Sequence, residues 1–275
     1  MSPLALFVVS VIAGGVGSMS GLGGGVVLLP VLTAHGIDIK HVIPVSIIST
    51  IAVSSGAAST YVRGHLTNLK VSAWLELFVV PGALLGASLA IIARPPLLSA
   101  ICGIVLVLSA FLLARRDPSV WKPPRTVDVV SRTLQLGGSY YDQAERRTIA
   151  YAPARAWLGG PLMAVTGFIA GFLGIGGSAF SVLVQDVVMR LPPKVAVTTS
   201  NLIIGSMTVA GACVYLEAGL IDVQLAVPVI LGVCVGAFAG SALLVRLLNR
   251  WIRRIFIIVI LVLGLEMLLH LGRGF

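Results

Sequence analysis

The chain has 275 residues, of which only 11% are charged and 57% are hydrophobic, and its mean hydropathy is +1.05. A soluble domain carries about 25% charged residues, so the composition excludes a soluble globular protein and a disordered chain alike. The net charge of +9 would suggest nucleic acid as a partner of a soluble chain. In a membrane chain it instead raises the question of which side of the bilayer carries the basic residues.

Eight apolar segments follow one another along the chain, and together they predict an all-α polytopic membrane protein. Most have the 18 to 26 residues needed to cross about 30 Å of hydrocarbon. Their predicted bounds are 4–34, 42–62, 73–93, 97–114, 157–188, 195–216, 223–248 and 252–271.

Two of these segments, 4–34 and 157–188, are too long for a single straight crossing. Each has a glycine cluster at its middle, Gly21-Leu22-Gly23-Gly24-Gly25 in the first and Gly174-Ile175-Gly176-Gly177-Ser178 in the second. Glycine tolerates a break in a membrane helix when the freed backbone groups face protein or a cavity. We therefore expect each segment to be a broken, re-entrant hairpin that enters and leaves on one side.

The two halves of the chain resemble each other. The glycine clusters align at an offset of 153 residues, and downstream features such as Tyr61 with Tyr215 and Gly82 with Gly236 align at 154. Duplicated halves are typical of secondary transporters. The expected organisation is a first repeat at 1–114, a connecting loop at 115–156 and a second repeat at 157–275.

The basic residues favour one topology. If segment 157–188 turns back, 16 of the 19 Lys and Arg residues lie on one face and only Lys40, Arg94 and Arg273 on the other. If it crosses, the split is a weak 11 to 8. The positive-inside rule favours the first arrangement, with loop 115–156 cytoplasmic and the halves inverted. The count leaves open whether segment 4–34 turns back or crosses.

Loop 115–156 is the one long polar stretch of the chain. Residues 133–136 and 139–142 around Gly137-Gly138 are expected to form a short β-hairpin, with 148–151 as a further strand. A partly ordered linker remains the alternative.

The broken segments predict a binding site for an anion. The N–H groups freed at a helix break carry partial positive charge, and inverted repeats bring two such breaks together near the midplane. Hydroxyl and amide side chains nearby would add neutral donors. Packing of small residues is the alternative explanation for any single Gly or Ser. The candidate substrate-binding residues are Ser20, Gly21, Gly23, Gly24, Gly25, Ser46, Ser49, Gly174, Gly176, Gly177, Ser178, Thr199, Ser200 and Asn201.

Other polar residues receive simpler interpretations. Tyr61 and Tyr215 are expected at the membrane interface, as are Gln185 and Asp186. The pair Glu266 and His270 is interpreted as an interfacial contact, with a proton-linked site as the alternative. The spacing of the histidines His35, His41 and His65 is not that of a metal site. The three cysteines have the spacing of neither a metal site nor a disulfide framework; they are Cys102, Cys213 and Cys234.

Motifs of enzymes are absent from the sequence: there is no Gly-x-Ser-x-Gly, no P-loop and no His-Glu-x-x-His. No catalytic residue, metal site or cofactor is therefore predicted, and the expected protein is not an enzyme. A sulfur-relay enzyme would need cysteine chemistry, which the scattered cysteines do not suggest.

The sequence resembles the TauE/SafE family of membrane proteins, named for sulfite export. The resemblance rests on residues 14–32, which contain a Gly-Leu-Gly-Gly-Gly-x-x-x-x-Pro run that ends at Pro30, and on the second copy at 167–183. The turns 61–70 and 215–224 and the Gly-Ser-Tyr-Tyr-Asp stretch at 138–142 add to it. It implies a transporter of the bacterial inner membrane that most often exports sulfite, thiosulfate or small organosulfonates.

The functional prediction is a secondary transporter for a small sulfur-containing anion bound between the two broken helices, with an anion channel on the same scaffold as the alternative. The sequence leaves open the exact substrate, the direction of transport, a coupling ion (H⁺ or Na⁺) and whether the chain forms a homo-oligomer.

Overall fold

A computed structural model describes residues 3–20, 23–114, 127–142, 146–174 and 178–246, together with residues 258, 261, 262 and 265. The segment predicted at 252–271, with Glu266 and His270, therefore lies almost entirely outside the described residues. Within them the chain is mostly helical, with one two-stranded sheet.

The first half contains five long or medium helices. They are α1 (Pro3–Ser20), α2 (Gly25–Ala34), α3 (Ile39–Arg63), α4 (Leu69–Ile92) and α5 (Pro95–Ala114). The connecting stretch carries a short helix, α6 (Val129–Thr133), and the strands β1 (Gly138–Asp142) and β2 (Arg147–Tyr151). The second half contains α7 (Ala156–Leu173), α8 (Ser178–Leu183), a π-helical turn (Val184–Val188), α9 (Pro193–Glu217) and α10 (Val223–Arg246).

Five described helices are long and apolar enough to cross a membrane, judged by length and composition. They are Ile39–Arg63, Leu69–Ile92, Ala156–Leu173, Pro193–Glu217 and Val223–Leu243. Side chains such as Leu77, Leu85 and Phe238 are exposed along these helices, as expected where lipid rather than water is the surrounding medium. The protein is therefore a multi-pass membrane protein.

Both overlong segments are divided at their glycine clusters. Helix α1 ends at Ser20 and α2 begins at Gly25, while α7 ends at Leu173 and α8 begins at Ser178. Gly23 and Gly174 have left-handed backbone conformations, with φ of +70° and +69°, which glycine adopts without a steric penalty. The predicted breaks in these two apolar segments are present.

Helices of the two halves have matching lengths and bounds. Helices α1 and α7 each have 18 residues, α3 and α9 each have 25, and α4 and α10 each have 24. The bounds of the first pair differ by 153 positions and those of the other two pairs by 154. These are the two offsets at which the sequence aligns with itself.

Contacts between the halves also occur in matching pairs. At Gly236 in α10, the carbonyl oxygen of Val11 in α1 occupies the space that a Cβ atom would take. At Gly82 in α4, the carbonyl oxygen of Ala164 in α7 occupies the equivalent space. One turn further along each helix, the carbonyl oxygen of Gly15 lies in this position at Gly240, and the carbonyl oxygen of Phe168 lies in it at Gly86. Because the contacts advance in the same direction on both helices, α1 is parallel to α10 and α7 is parallel to α4.

Helices α3 and α9 cross in opposite directions. Ser54 of α3 donates a hydrogen bond to the carbonyl oxygen of Asn201, near the start of α9. Near the other end of the interface, Gly211 of α9 lies beside Ile47 of α3. Residue numbers in the contacts therefore fall along α3 while they rise along α9, so the two helices are antiparallel.

The connecting stretch differs from its predicted arrangement. Strands β1 and β2 pair antiparallel, with Gly138 opposite Tyr151 and Asp142 opposite Arg147. The predicted pairing of 133–136 with 139–142 is wrong, because residues up to Thr133 belong to α6, whose N-terminus is capped by Asp128. Residues 148–151 supply the second strand instead.

Candidate functional site

The two glycine breaks lie next to each other in the interior. The carbonyl oxygen of Gly174, the residue that follows α7, is 3.2 Å from the position that a Cβ atom would take at Gly25, the first residue of α2. Gly174 itself packs against Ile43 of α3. Two breaks that are 149 positions apart in sequence are thus brought together beside one helix.

A polar cluster from α3 surrounds the start of α2, and we call it the α2 cluster: Gly23, Gly24, Gly25, Ser46, Ser49 and Thr50. The backbone N–H of Gly25 donates to Thr50 Oγ1 at 3.2 Å. The hydroxyls of Thr50 and Ser49 both donate to the carbonyl oxygen of Ser46, at 2.8 and 2.7 Å. All three of these α3 side chains are fully buried. Sequence reasoning selected Ser46 and Ser49 but missed Thr50.

Ser46 is the unsatisfied member of the α2 cluster. Its Oγ is buried and has no hydrogen-bond partner among the described residues. A buried hydroxyl without a partner is unfavourable, and a bound ligand would supply the missing partner. The α2 cluster therefore offers a helix N-terminus and a free hydroxyl, all uncharged.

A second buried polar cluster joins α8, the π-helical turn and α9. We call it the Gln185 cluster, and its members are Ser181, Gln185 and Ser200. The amide nitrogen of Gln185 donates to Ser200 Oγ at 2.8 Å and to Ser181 Oγ at 3.2 Å, and the Ser181 hydroxyl donates to Ser200 Oγ at 3.1 Å. The expectation that Gln185 lies at the membrane interface is wrong, because its side chain is fully buried.

Asn201 and Thr199, the neighbours of Ser200, face other parts of the molecule. The Asn201 amide nitrogen donates to the carbonyl oxygens of Ser18 and Val197, at 3.3 and 3.1 Å. Both of its hydrogens are therefore engaged, and its buried Oδ1 is the atom without a partner in the described parts of the chain. Thr199 Oγ1 accepts a hydrogen bond from the backbone N–H of Asn68, at the turn between α3 and α4.

The predicted site residues thus separate into groups. Gly23, Gly24, Gly25, Ser46, Ser49 and Gly174 lie together, Ser200 belongs to the Gln185 cluster, and Asn201 and Thr199 make separate contacts. Gly21, Gly176 and Gly177 lie outside the described residues, as do the side chains of Ser20 and Ser178.

Two tyrosines hold the ends of the helices that precede the breaks. Tyr61 of α3 donates to the carbonyl oxygen of Ser18 at 2.9 Å, and Tyr215 of α9 donates to that of Gly171 at 3.0 Å. Both side chains are buried. Their predicted interfacial position is therefore wrong, and each instead supplies a donor to a carbonyl group in the last turn of α1 or α7, where intrahelical partners are missing.

The β-hairpin is fastened to the membrane helices by buried polar contacts. Lys194, near the start of α9, forms a buried ion pair with Asp142 of β1 at 2.7 Å. Asn68, which caps α4, donates through its side chain to the carbonyl oxygen of Leu136 at 2.8 Å and to the Tyr151 hydroxyl at 3.2 Å. Burial raises the pKa of the Tyr151 phenol above its ordinary value, and the hydrogen bond from Asn68 partly opposes that rise.

Residues 6–267 match the family described as "Sulfite exporter TauE/SafE". The "Probable membrane transporter protein YunE" of Bacillus subtilis (strain 168) is 28% identical over 279 residues, which cover 98% of each chain. The "Probable membrane transporter protein YdhB" of the same strain is 26% identical over 239 residues, covering 86% of this chain and 87% of that one.

No solved structure is a significant match to the chain. The family match extends over nearly the whole sequence and includes both glycine breaks and all five candidate membrane spans. The chain therefore belongs to the TauE/SafE family and is a membrane transporter, as the names of its relatives also indicate.

Proposed function

We propose that the protein is a secondary transporter that exports a small sulfur-containing anion, such as sulfite, thiosulfate or an organosulfonate. The anion binds near the membrane midplane, between the broken ends of the two hairpins. The family's description names sulfite export, and the proposal extends that chemistry to this chain. The observation that carries it is the meeting of Gly25 with Gly174 beside the backbone of Ser46, a residue whose buried hydroxyl has no partner among the described residues.

The chemistry of the α2 cluster suits a small anion. Its donors are a helix N-terminus, whose partial positive charge favours an anion, and hydroxyl groups, which can turn towards a ligand oxygen. A carrier must release its substrate, and uncharged donors bind an anion without the strong attraction of a buried lysine or arginine. In the part of the chain that the structure describes, the one buried lysine is Lys194, which is paired with Asp142.

The architecture that we propose is an inverted repeat with two re-entrant hairpins. The antiparallel crossing of α3 and α9 supports the inversion, because these helices occupy equivalent positions in the two halves. The parallel packing of α1 on α10 and of α7 on α4 supports an equivalent placement of the two hairpins. Alternating access then arises from rocking of one bundle against the other around the site.

The proposed location is the inner membrane, with residues 115–156 in the cytoplasm. The basic residues support this orientation, because 16 of 19 lie on one face when both hairpins turn back. The structure gives the stretch an ordered contact with the turn between α3 and α4, through Asn68. That contact is consistent with the assignment of both segments to one side of the membrane.

The experiment begins with purified protein. Thermal shifts are measured with sulfite, thiosulfate, sulfoacetate, taurine and sulfate, because a ligand that binds the native state raises the unfolding temperature. The best ligand is then followed in proteoliposomes. We expect saturable flux and accumulation against a gradient when a counter-ion gradient is imposed. Unsaturable flux that never exceeds equilibrium would identify a channel, and the absence of binding and flux for every anion would overturn the proposal.

A pair of matched variants connects the activity to the α2 cluster. Thr50→Val removes the hydroxyl that contacts Gly25 but keeps the shape of the side chain. Thr166→Val makes the same change in α7, where the one hydrogen bond of the hydroxyl within the described residues goes to the carbonyl oxygen of Leu162 in its own helix. We expect the first variant to lose affinity for the anion and the second to retain it. Equal behaviour of the two variants would remove the α2 cluster from the site.

A further inference from the structure

The Gln185 cluster contains a buried polar atom that the fold does not satisfy. Both amide hydrogens of Gln185 are used by the hydroxyls of Ser181 and Ser200, and Oε1 has no partner among the described residues. Gln185 and both serines are fully buried. A buried acceptor without a donor destabilises a protein, and its presence in a native structure calls for a specific reason.

The amide can reverse its orientation without losing either partner. Serine hydroxyls donate as well as accept, so Ser181 and Ser200 can donate to Oε1 if the amide turns by half a rotation. The two hydrogens of Nε2 then occupy the side on which Oε1 now has no partner. The cluster can therefore present an acceptor in one orientation and two donors in the other.

The first half shows that the fold does not require polar residues here. The positions 153 residues before Ser181 and Gln185 are Leu28 and Leu32, in α2, and both leucines are fully buried. The position 154 residues before Ser200 is Ser46, whose hydroxyl belongs to the α2 cluster. Leucine fills the equivalent positions in the first half, so burial of a glutamine and a serine in the second half has no packing advantage.

The backbone around Gln185 is also unusual and firmly held. Residues Val184–Val188 form a π-helical turn, and such turns occur frequently at functional sites. The N–H of Leu191 donates to the Gln185 carbonyl oxygen at 2.9 Å, and the N–H of Ala154 donates to that of Met189 at 2.8 Å. These bonds fix the turn against the start of α7, so the amide projects from a defined backbone position.

We propose that Gln185, oriented by Ser181 and Ser200, is a second contact point for the transported oxyanion. The side chains of the Gln185 cluster belong to α8, the π-helical turn and α9, whereas the α2 cluster is formed by α2 and α3. In the donor orientation the Gln185 amide gives both hydrogens to oxygens of the anion, while the two serine hydroxyls hold its Oε1. The inference rests on the proposed function, since it names a further ligand of the same substrate class.

The test uses three variants at Gln185 in proteoliposomes loaded with radiolabelled sulfite or thiosulfate. Gln185→Leu copies the residue at the equivalent position of the first half. Gln185→Met keeps the length of the side chain without an amide, and Gln185→Glu keeps the shape but introduces a negative charge and removes the donors. Thr166→Val is the matched control for loss of a buried polar group.

We expect the KM for the anion to rise at least about tenfold in the leucine and methionine variants, the effect of losing hydrogen bonds to a charged group. The unfolding temperature without ligand should stay close to that of the wild type. The glutamate variant should not transport, because its charge repels the anion. If Gln185→Leu fails to fold, Gln185→Met carries the same test.

Unchanged KM in the leucine or methionine variant would overturn this inference while leaving the proposed function intact. The proposed function fails separately, if the wild-type protein itself binds and transports none of these anions. A KM that rises by the same factor in Thr166→Val would also overturn the inference, because the effect would then follow from loss of any buried hydroxyl or amide group.

Discussion

Lys194 Nζ lies 2.7 Å from Asp142 Oδ1, and both side chains are almost completely buried. This ion pair connects the β-hairpin of the connecting stretch to the first turn of α9, 52 residues further along the chain. The connecting stretch is thereby part of the folded body around α9.

Removing one partner of the ion pair should be costly. Lys194→Met removes one partner of the buried ion pair with Asp142, and breaking such a pair costs about 3–5 kcal/mol. The unfolding temperature of detergent-solubilised protein should fall accordingly. Lys70→Met is the control, because Lys70 is exposed and its long contact with Gln135 is at the surface. If both variants unfold at the same temperature, the pair does not stabilise the hairpin.

The buried tyrosines predict matching effects in the two halves. Tyr61→Phe and Tyr215→Phe each remove a hydrogen bond to a carbonyl group near the end of α1 or α7. Each should destabilise the protein by about 0.5–1.5 kcal/mol, and the two effects should be similar. Tyr141, which is exposed, provides the control Tyr141→Phe, and this variant should unfold like the wild type. A large difference between Tyr61 and Tyr215 would contradict the equivalence of their positions.

The glycines between parallel helices predict a steric effect. A methyl group at Gly86 or Gly240 would overlap with a carbonyl oxygen of the facing helix. Gly86→Ala and Gly240→Ala should therefore destabilise the protein by about 1–3 kcal/mol. At Gly211 the nearest atom is Ile47 Cδ1 at 3.7 Å, and alanine is the better helix former there. Gly211→Ala should leave the unfolding temperature unchanged or raise it, and the opposite order among the three variants would contradict this packing.

The proposed topology predicts which loops are accessible from outside the cell. Single cysteines replace His35, Glu217 or Gln135, three exposed residues, in a variant without the natural cysteines. In intact cells a membrane-impermeant maleimide should label positions 35 and 217, whereas position 135 should react only after the membrane is permeabilised. Labelling of position 135 in intact cells would reverse the orientation, and labelling of only one of positions 35 and 217 would contradict the inverted repeat.

The breaks in the two apolar segments could be predicted because length and glycine content gave the same answer. A segment of 31 or 32 apolar residues exceeds one crossing, and a glycine cluster at its centre gives the position of the break. The equal lengths of α1 and α7, and of α3 and α9, follow the two sequence offsets. The requirement that a segment match the thickness of the bilayer applies to the whole segment and does not depend on the direction of one side chain.

The contacts within the candidate site could be predicted less completely because single polar residues in apolar helices are ambiguous. Thr50 and Ser181 are ordinary hydroxyl residues in sequence, and only the packing of α2 on α3 and of α8 on α9 reveals their contacts. Gln185 lies near the end of the predicted hairpin 157–188, and the sequence places it at the membrane interface. The fact that its equivalent in the first half is Leu32 was a signal that could have marked it as unusual.

The tyrosines and the β-hairpin show two other causes of error. Aromatic residues near the ends of membrane segments usually lie at the interface, but Tyr61 and Tyr215 satisfy carbonyl groups inside the protein. The strand at 133–136 was predicted from the glycine pair that follows it. Asp128 caps the short helix α6, which includes Thr133, and Leu134 and Gln135 form the turn that ends this helix, so no strand forms there.

The exchange of partners between the halves has a consequence for biogenesis. Helix α1 packs through glycine contacts on α10, and α4 packs through glycine contacts on α7. The surfaces of α1 and α4 that bear these contacts therefore remain uncovered while the ribosome is still synthesising the first half. Insertion of the early helices can precede the arrival of α7 and α10, but their final packing cannot. A nascent chain stopped before α10 would hold α1 in the bilayer without its partner, which is the state that membrane chaperones and quality-control proteases would encounter.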